Sequence, residues 1–115
     1  MKIYSCPEAC PVPETDYRNY DYDKELKKEA EHQAALKIWL HSQGYTGKNT
    51  GKVVLFPAAD GHAIYMLAEG GRKSILIHLP YGDAWQYPDA AFLPKKEILS
   101  RIKLQEMWDA EYAKQ

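Results

Sequence analysis

The chain has 115 residues, with 15 lysines and arginines against 16 aspartates and glutamates, and a formal net charge of -1 at pH 7. That length is one domain by the usual prior, and it buries about two thirds of the unfolded surface without metal or disulfide staples. The balanced charge lacks the basic excess of a polyanion-binding domain and so disfavours nucleic acid as a partner. No apolar run approaches the roughly 20 residues that cross a bilayer, and Ile3-Tyr4 is too short for the core of a signal peptide. The expectation is a cytoplasmic protein without membrane contact, whose two cysteines, Cys6 and Cys10, stay reduced.

Residues 1–20 read as an extended arm, because Pro7, Pro11 and Pro13 remove donors and bias their predecessors toward extended geometry. Residues 21–115 then form a single domain. Tyr17, Tyr20 and Tyr22 alternate with Asp16, Arg18, Asn19, Asp21 and Asp23, a stretch that packs along its own domain or onto a partner. A helix is predicted over 23–42. Asp21 or Asp23 caps it, and Glu25 puts negative charge in the first turn, where the dipole favours it. Leu26, Ala30, Ala34 and Ile38 recur at i, i+4 and predict its buried stripe, flanked by Leu36 and Leu40, with Lys27, Lys28, Glu31 and His32 opposite. Gly44 is the natural stop. Trp39 falls outside the stripe and needs cover from the arm, the last helix or a partner.

Residues 44–52 form a glycine-containing, mildly basic loop. Strands are predicted over 53–56, stopped by Pro57, then over 62–68 and 73–79. Gly70-Gly71 between the last two signals a two-residue hairpin, since both central positions of the favoured turn need positive φ. That turn sets Met66 opposite Ile75, Ile64 opposite Ile77, Ala63 opposite His78 and Tyr65 opposite Leu76. One face, with Ile64, Met66, Ile75, Ile77 and Leu79, is core. The other, with Tyr65 and His78, is half covered. A closing helix over 94–112 starts at Pro94, and Ile98, Leu99, Ile102, Leu104, Trp108 and Tyr112 give it a wide apolar side. The fold class is α+β: helix, three-stranded antiparallel β-meander, helix, after an extended N-terminal arm, with both helices on one face of the sheet.

Asp60, His62, His78 and Asp83 are the best chemical constellation. Histidine and carboxylate ligands suit zinc, iron or manganese, and a His–Asp pair suits general-base work. They define an alternative, a small metal-dependent hydrolase. Against it, the register puts His62 and His78 on opposite faces, and Asp60-Gly61 and Gly82-Asp83 are ordinary turn pairs. Cys6 and Cys10 are spaced too widely for a zinc knuckle and have no second cysteine pair, so no metal and no cofactor are expected. The 44–52 loop lacks the P-loop pattern and leads into a strand, so it reads as a connection. Tyr81, Trp85 and Tyr87, with Pro80 and Pro88, make an aromatic loop that serves either as a binding surface or as a lid on the sheet.

The runs Gly44-Tyr45-Thr46-Gly47, Ala59-Asp60-Gly61, Tyr65-Met66 and His78-Leu79-Pro80 with Gly82-Asp83-Ala84-Trp85 resemble small uncharacterised proteins of tailed phages, prophages and mobile elements. The resemblance covers about the middle third of the chain. It implies context only: a bacterial cytoplasm and an accessory role, and it assigns no residue a task.

The leading expectation is a non-enzymatic binding protein that modulates a host or defence component by protein-protein contact. Its surface would be Tyr81, Trp85 and Tyr87 with Trp39. A rival from another class is a nucleic-acid-binding domain of αβββα order, the order of double-stranded RNA-binding domains, with Lys48, Lys52, Lys95 and Lys96 meeting phosphates. Self-association is a further expectation, since a homodimer would hide Trp39 or the Tyr65 face.

Overall fold

In chain order the elements are β1 (Lys2–Ser5), α1 (Tyr22–Ser42), β2 (Val53–Ala58), β3 (Gly61–Gly70), β4 (Lys73–Leu79) and α2 (Lys95–Ala113). The computed structural model describes residues 1–14, 17–58, 61–80 and 92–113. Four strands make one sheet in the order β1-β4-β3-β2. β2, β3 and β4 are the expected antiparallel meander. β1 adds to it parallel to β4, with Ile3 beside Leu76 and Tyr4 beside Ile77. The first residues of the arm are therefore a sheet strand, which corrects the three-stranded expectation. Met1 and Ile3 pack against the α2-side core, so apolar burial holds a segment too short to signal a strand by itself.

Gly70 pairs with Lys73, so the turn is centred on Gly71 and Arg72, and Gly71 supplies the positive φ of +55°. The expected pairs shift accordingly: Met66 lies opposite Ile77, Ile64 opposite Leu79 and Tyr65 opposite His78. A shift of two positions preserves the side-chain period, so the membership of each face is as expected.

The two faces bury against different helices. Val54, Phe56, Ala63, Tyr65, Leu67 and Leu76 join Ile98 and Ile102 of α2. Met66, Ala68, Ile77 and Leu79 join Leu36 and Leu40 of α1. The sheet thus separates the helices, where a single shared face was expected. Ala63-Ile64-Tyr65-Met66-Leu67-Ala68 is a continuous apolar run, the mark of a strand covered on both sides. Tyr65 is fully buried, so its face is neither half covered nor open to a second copy.

α1 opens on Asp21, whose side chain accepts from the N–H groups of Asp23 and Lys24. Its buried residues are Glu25, His32, Leu36 and Leu40. The predicted Leu26–Ala30–Ala34–Ile38 stripe faces outward instead, with Ile38 71% exposed. At 100° per residue, Lys27, Lys37 and His41 interleave that stripe. The inner side carries polar groups, and the arm and Lys28 supply their partners. α2 begins after Pro94, whose carbonyl accepts from the N–H groups of Glu97 and Ile98. From Glu106 onward every described residue of it is exposed.

Candidate functional site

Two members of the histidine constellation, His62 and His78, lie on the sheet. His62 lies opposite Pro57 on β3, at a register position of the α1-side face, and is exposed. His78 lies opposite Tyr65 on the α2 side, its ring centroid 5.4 Å from the Tyr65 ring. Strand alternation sets His62 and His78 at positions of opposite faces, and the described residues do not bring the two imidazoles together. Asp60 and Asp83 lie outside the described residues. Among the described residues, no group of three His, Cys, Asp or Glu side chains is placed to hold a metal ion.

Two of the four lysines of the nucleic-acid alternative are engaged by acids. Lys95 Nζ is 2.6 Å from Glu69 Oε2, and Lys52 Nζ is 3.6 Å from Glu106 Oε1. Glu69 also accepts from Asn49 Nδ2 at 3.1 Å. Lys95 and then Asn49 hold the Glu69 carboxyl below the usual glutamate range. The 44–52 loop is fastened over the end of β3. Gly47 N–H donates to the Glu69 carbonyl, Gly51 N–H donates to Leu67, and Thr50 Oγ1 bonds both the N–H and the carbonyl of Glu69. A Cβ on Gly47 would lie 2.8 Å from the Glu69 carbonyl oxygen, so the close approach needs glycine. The N–H groups of Gly47, Thr50, Gly51 and Lys52 all donate to backbone carbonyls and so serve the fold. Lys48 and Lys96 are exposed. With a parallel β1 before α1 and helices on opposite faces, the topology also departs from the duplex-RNA-binding order.

Cys6, Cys10 and His32 meet where the arm crosses α1. His32 Nε2 is 3.1 Å from the Cys10 carbonyl and 3.3 Å from Cys6 Sγ. A carbonyl only accepts, so Nε2 carries the proton. The Cys6 thiol donates to the same carbonyl at 3.3 Å. Burial, then the neighbouring Cys10, pushes the Cys6 thiol up, which leaves it protonated at neutral pH and poor as a nucleophile. This cluster latches the arm onto the helix.

Tyr81, Trp85 and Tyr87 lie outside the described residues. Trp39 is half-buried in a groove of about 360 Å³ with Tyr4, Tyr45, Ile75 and Ile77, so β1 and the loop after α1 give it partial cover. A second groove, of about 420 Å³, runs along the β2 edge. Leu55, Pro57 and His62 come from the sheet, while Arg101, Leu104, Gln105, Trp108 and Asp109 come from α2. Gln105 fixes this geometry. Its Nε2 donates to the Val53 carbonyl at 3.2 Å, and the Leu55 N–H donates to its Oε1 at 2.9 Å. One side-chain amide thus occupies the strand edge in the manner of a neighbouring strand, and α2 is held overhanging it. Leu104, Trp108 and Tyr112 continue outward, 49%, 70% and 82% exposed.

Leu104, Trp108 and Tyr112, expected on the apolar side of the last helix, are exposed instead. The signal for this was present in the width of the apolar side. Ile98 and Ile102 point one way, and residues 104, 108 and 112 are rotated by roughly a quarter turn from them. Arg101 stacks over the Phe56 ring at 4.9 Å. No family model, curated protein or solved structure matches the chain.

Proposed function

We propose that this chain is a non-enzymatic binding protein that engages a segment of another protein along the β2 edge. The observation that carries this reading is the Leu104–Trp108–Tyr112 series. Three large apolar side chains stand exposed in a row on α2, the first two of them lining the groove. Helix faces of this kind in soluble domains mark contact surfaces. Trp and Tyr are the side chains that most often anchor such contacts. Among the described residues His62 and His78 are not brought together and burial pushes the Cys6 thiol up, which favours binding over catalysis. An accessory role for a phage or prophage, modulating a host or defence component, fits a contact protein of this size, and the sequence resemblance is its support.

The test is affinity capture from a bacterial lysate with three baits: wild type, Trp108→Glu and Ile38→Glu. The expected result is a partner held by wild type and Ile38→Glu and lost by Trp108→Glu. Equal partners on all baits, or none on any, would contradict the proposal.

A further inference from the structure

The β2-edge groove is not uniformly apolar. Arg101 enters it at one end, and among the described residues this guanidinium makes no ion pair, only the stacking contact with Phe56. His62 lines the same groove and is exposed. α2 runs antiparallel to β2, as its contacts show: Arg101 sits over Phe56, Gln105 bonds Val53 and Leu55, and Glu106 meets Lys52. Arg101 therefore lies toward the Pro57 and His62 end of the strand. Asp109, the acid that lines the groove, is about 12 Å further along the helix axis, at the opposite end.

The result is a trough with apolar walls, Leu55, Pro57, Leu104 and Trp108, a cationic end and an anionic end. We infer that the groove reads a carboxylate: its occupant is a peptide segment of another protein that carries an aspartate or glutamate beside large apolar side chains. This deepens the binding reading given above and rests on it. A planar guanidinium stacked on an aromatic ring keeps its edge N–H groups in a fixed fork, the geometry that pairs with a carboxylate in two parallel hydrogen bonds. The His62 imidazole lines the same groove and adds a donor. The Asp109 end repels a second acid, so charge sets the direction in which the segment lies. The volume of about 420 Å³ accommodates a few side chains rather than a folded domain.

The experiment is a titration of the uniformly ¹⁵N-labelled full chain with two peptides, acetyl-Phe-Asp-Leu-Leu-amide and its Asn counterpart, followed by amide shifts. The expected result is shifts confined to Leu55, His62 and the 101–109 turns, with the aspartate peptide about tenfold tighter, equivalent to about 1.4 kcal/mol. In Arg101→Met, which keeps an apolar stem over Phe56, the two peptides should bind alike. His62→Gln, at an exposed position, should narrow the gap without touching the fold.

Equal affinity of the two peptides for wild type overturns the carboxylate reading and leaves the contact surface standing. Failure of both peptides to shift the groove overturns the inference, and only a failed capture experiment then also removes the proposed function. A wild-type chain that sediments as a dimer and is returned to monomer by Trp108→Glu shows a second copy in the groove, and overturns the inference in that copy's favour.

Discussion

Arg101, Gln105 and Trp108 lie within two turns of one helix and perform different tasks: a stacked cation, a clamp on a strand edge and an exposed ring. Residue type alone does not separate Trp108 from Ile102. Position on the helix does, since the sheet ends beneath one and not the other. Substitutions should separate them too. Trp108→Ala is expected to change stability by no more than about 0.5 kcal/mol, as exposed positions do, while Leu36→Ala in the α1-side core should lose about 2 to 5 kcal/mol. Urea unfolding measures both, and a Trp108→Ala loss of core size would mean that the ring is packed. Glu69 gives a pH prediction. Its carboxyl is held below the usual glutamate range by Lys95 and Asn49, so the folded chain binds fewer protons than the unfolded one. That stability is fully present above the ordinary glutamate pKa and is lost as pH falls through the lowered value. Glu69→Gln should cost about 1 kcal/mol at neutral pH, after allowance for solvent screening at half-exposed Lys95, and close to nothing in acid. Parallel pH–stability curves for the two proteins would contradict this assignment.

The sheet has two edges, and they are managed differently. β2 is closed by the Gln105 amide, which takes one backbone donor and one acceptor. β1 is short and carries Lys2, a combination that discourages strand addition. Gln105→Ala should therefore cost about 1 to 2 kcal/mol, and it should free the Val53 carbonyl and Leu55 N–H to pair with another chain. Analytical ultracentrifugation would show concentration-dependent association of that variant; a monomer with unchanged stability would mean that the clamp is ornamental. The elements themselves were mostly legible. Asp21, Gly44, Pro94 and the glycine hairpin announce their boundaries through caps and turns, which are local physics. β1 was not legible, because four residues of alternating pattern carry little signal until β4 offers an edge. The α1 stripe was misread because its inner face is polar, and only the fold brings Cys10 and Lys28 to satisfy His32 and Glu25. The hairpin turn was placed one residue early, and the side-chain period absorbed the error.

At the scale of the molecule, two helices enclose a four-stranded sheet among the described residues. The two-sided apolar run in β3 foretold this layering more reliably than economy of helix placement. Among the described residues, no helix is long and apolar enough to cross a membrane. The histidines were separable from sequence because alternation along a strand is strict. The β2-edge groove was not, since it exists only where the second half of α2 overhangs a strand that precedes it by some fifty positions. Site-specific photo-crosslinking tests this surface most directly: a photoreactive residue at position 107, beside Trp108, compared with one at position 38 on the outer side of α1. The expected result is a defined adduct with a bacterial protein from position 107, abolished by Trp108→Glu, and none from position 38. An adduct from position 38 alone, or one from position 107 that survives Trp108→Glu, would contradict it.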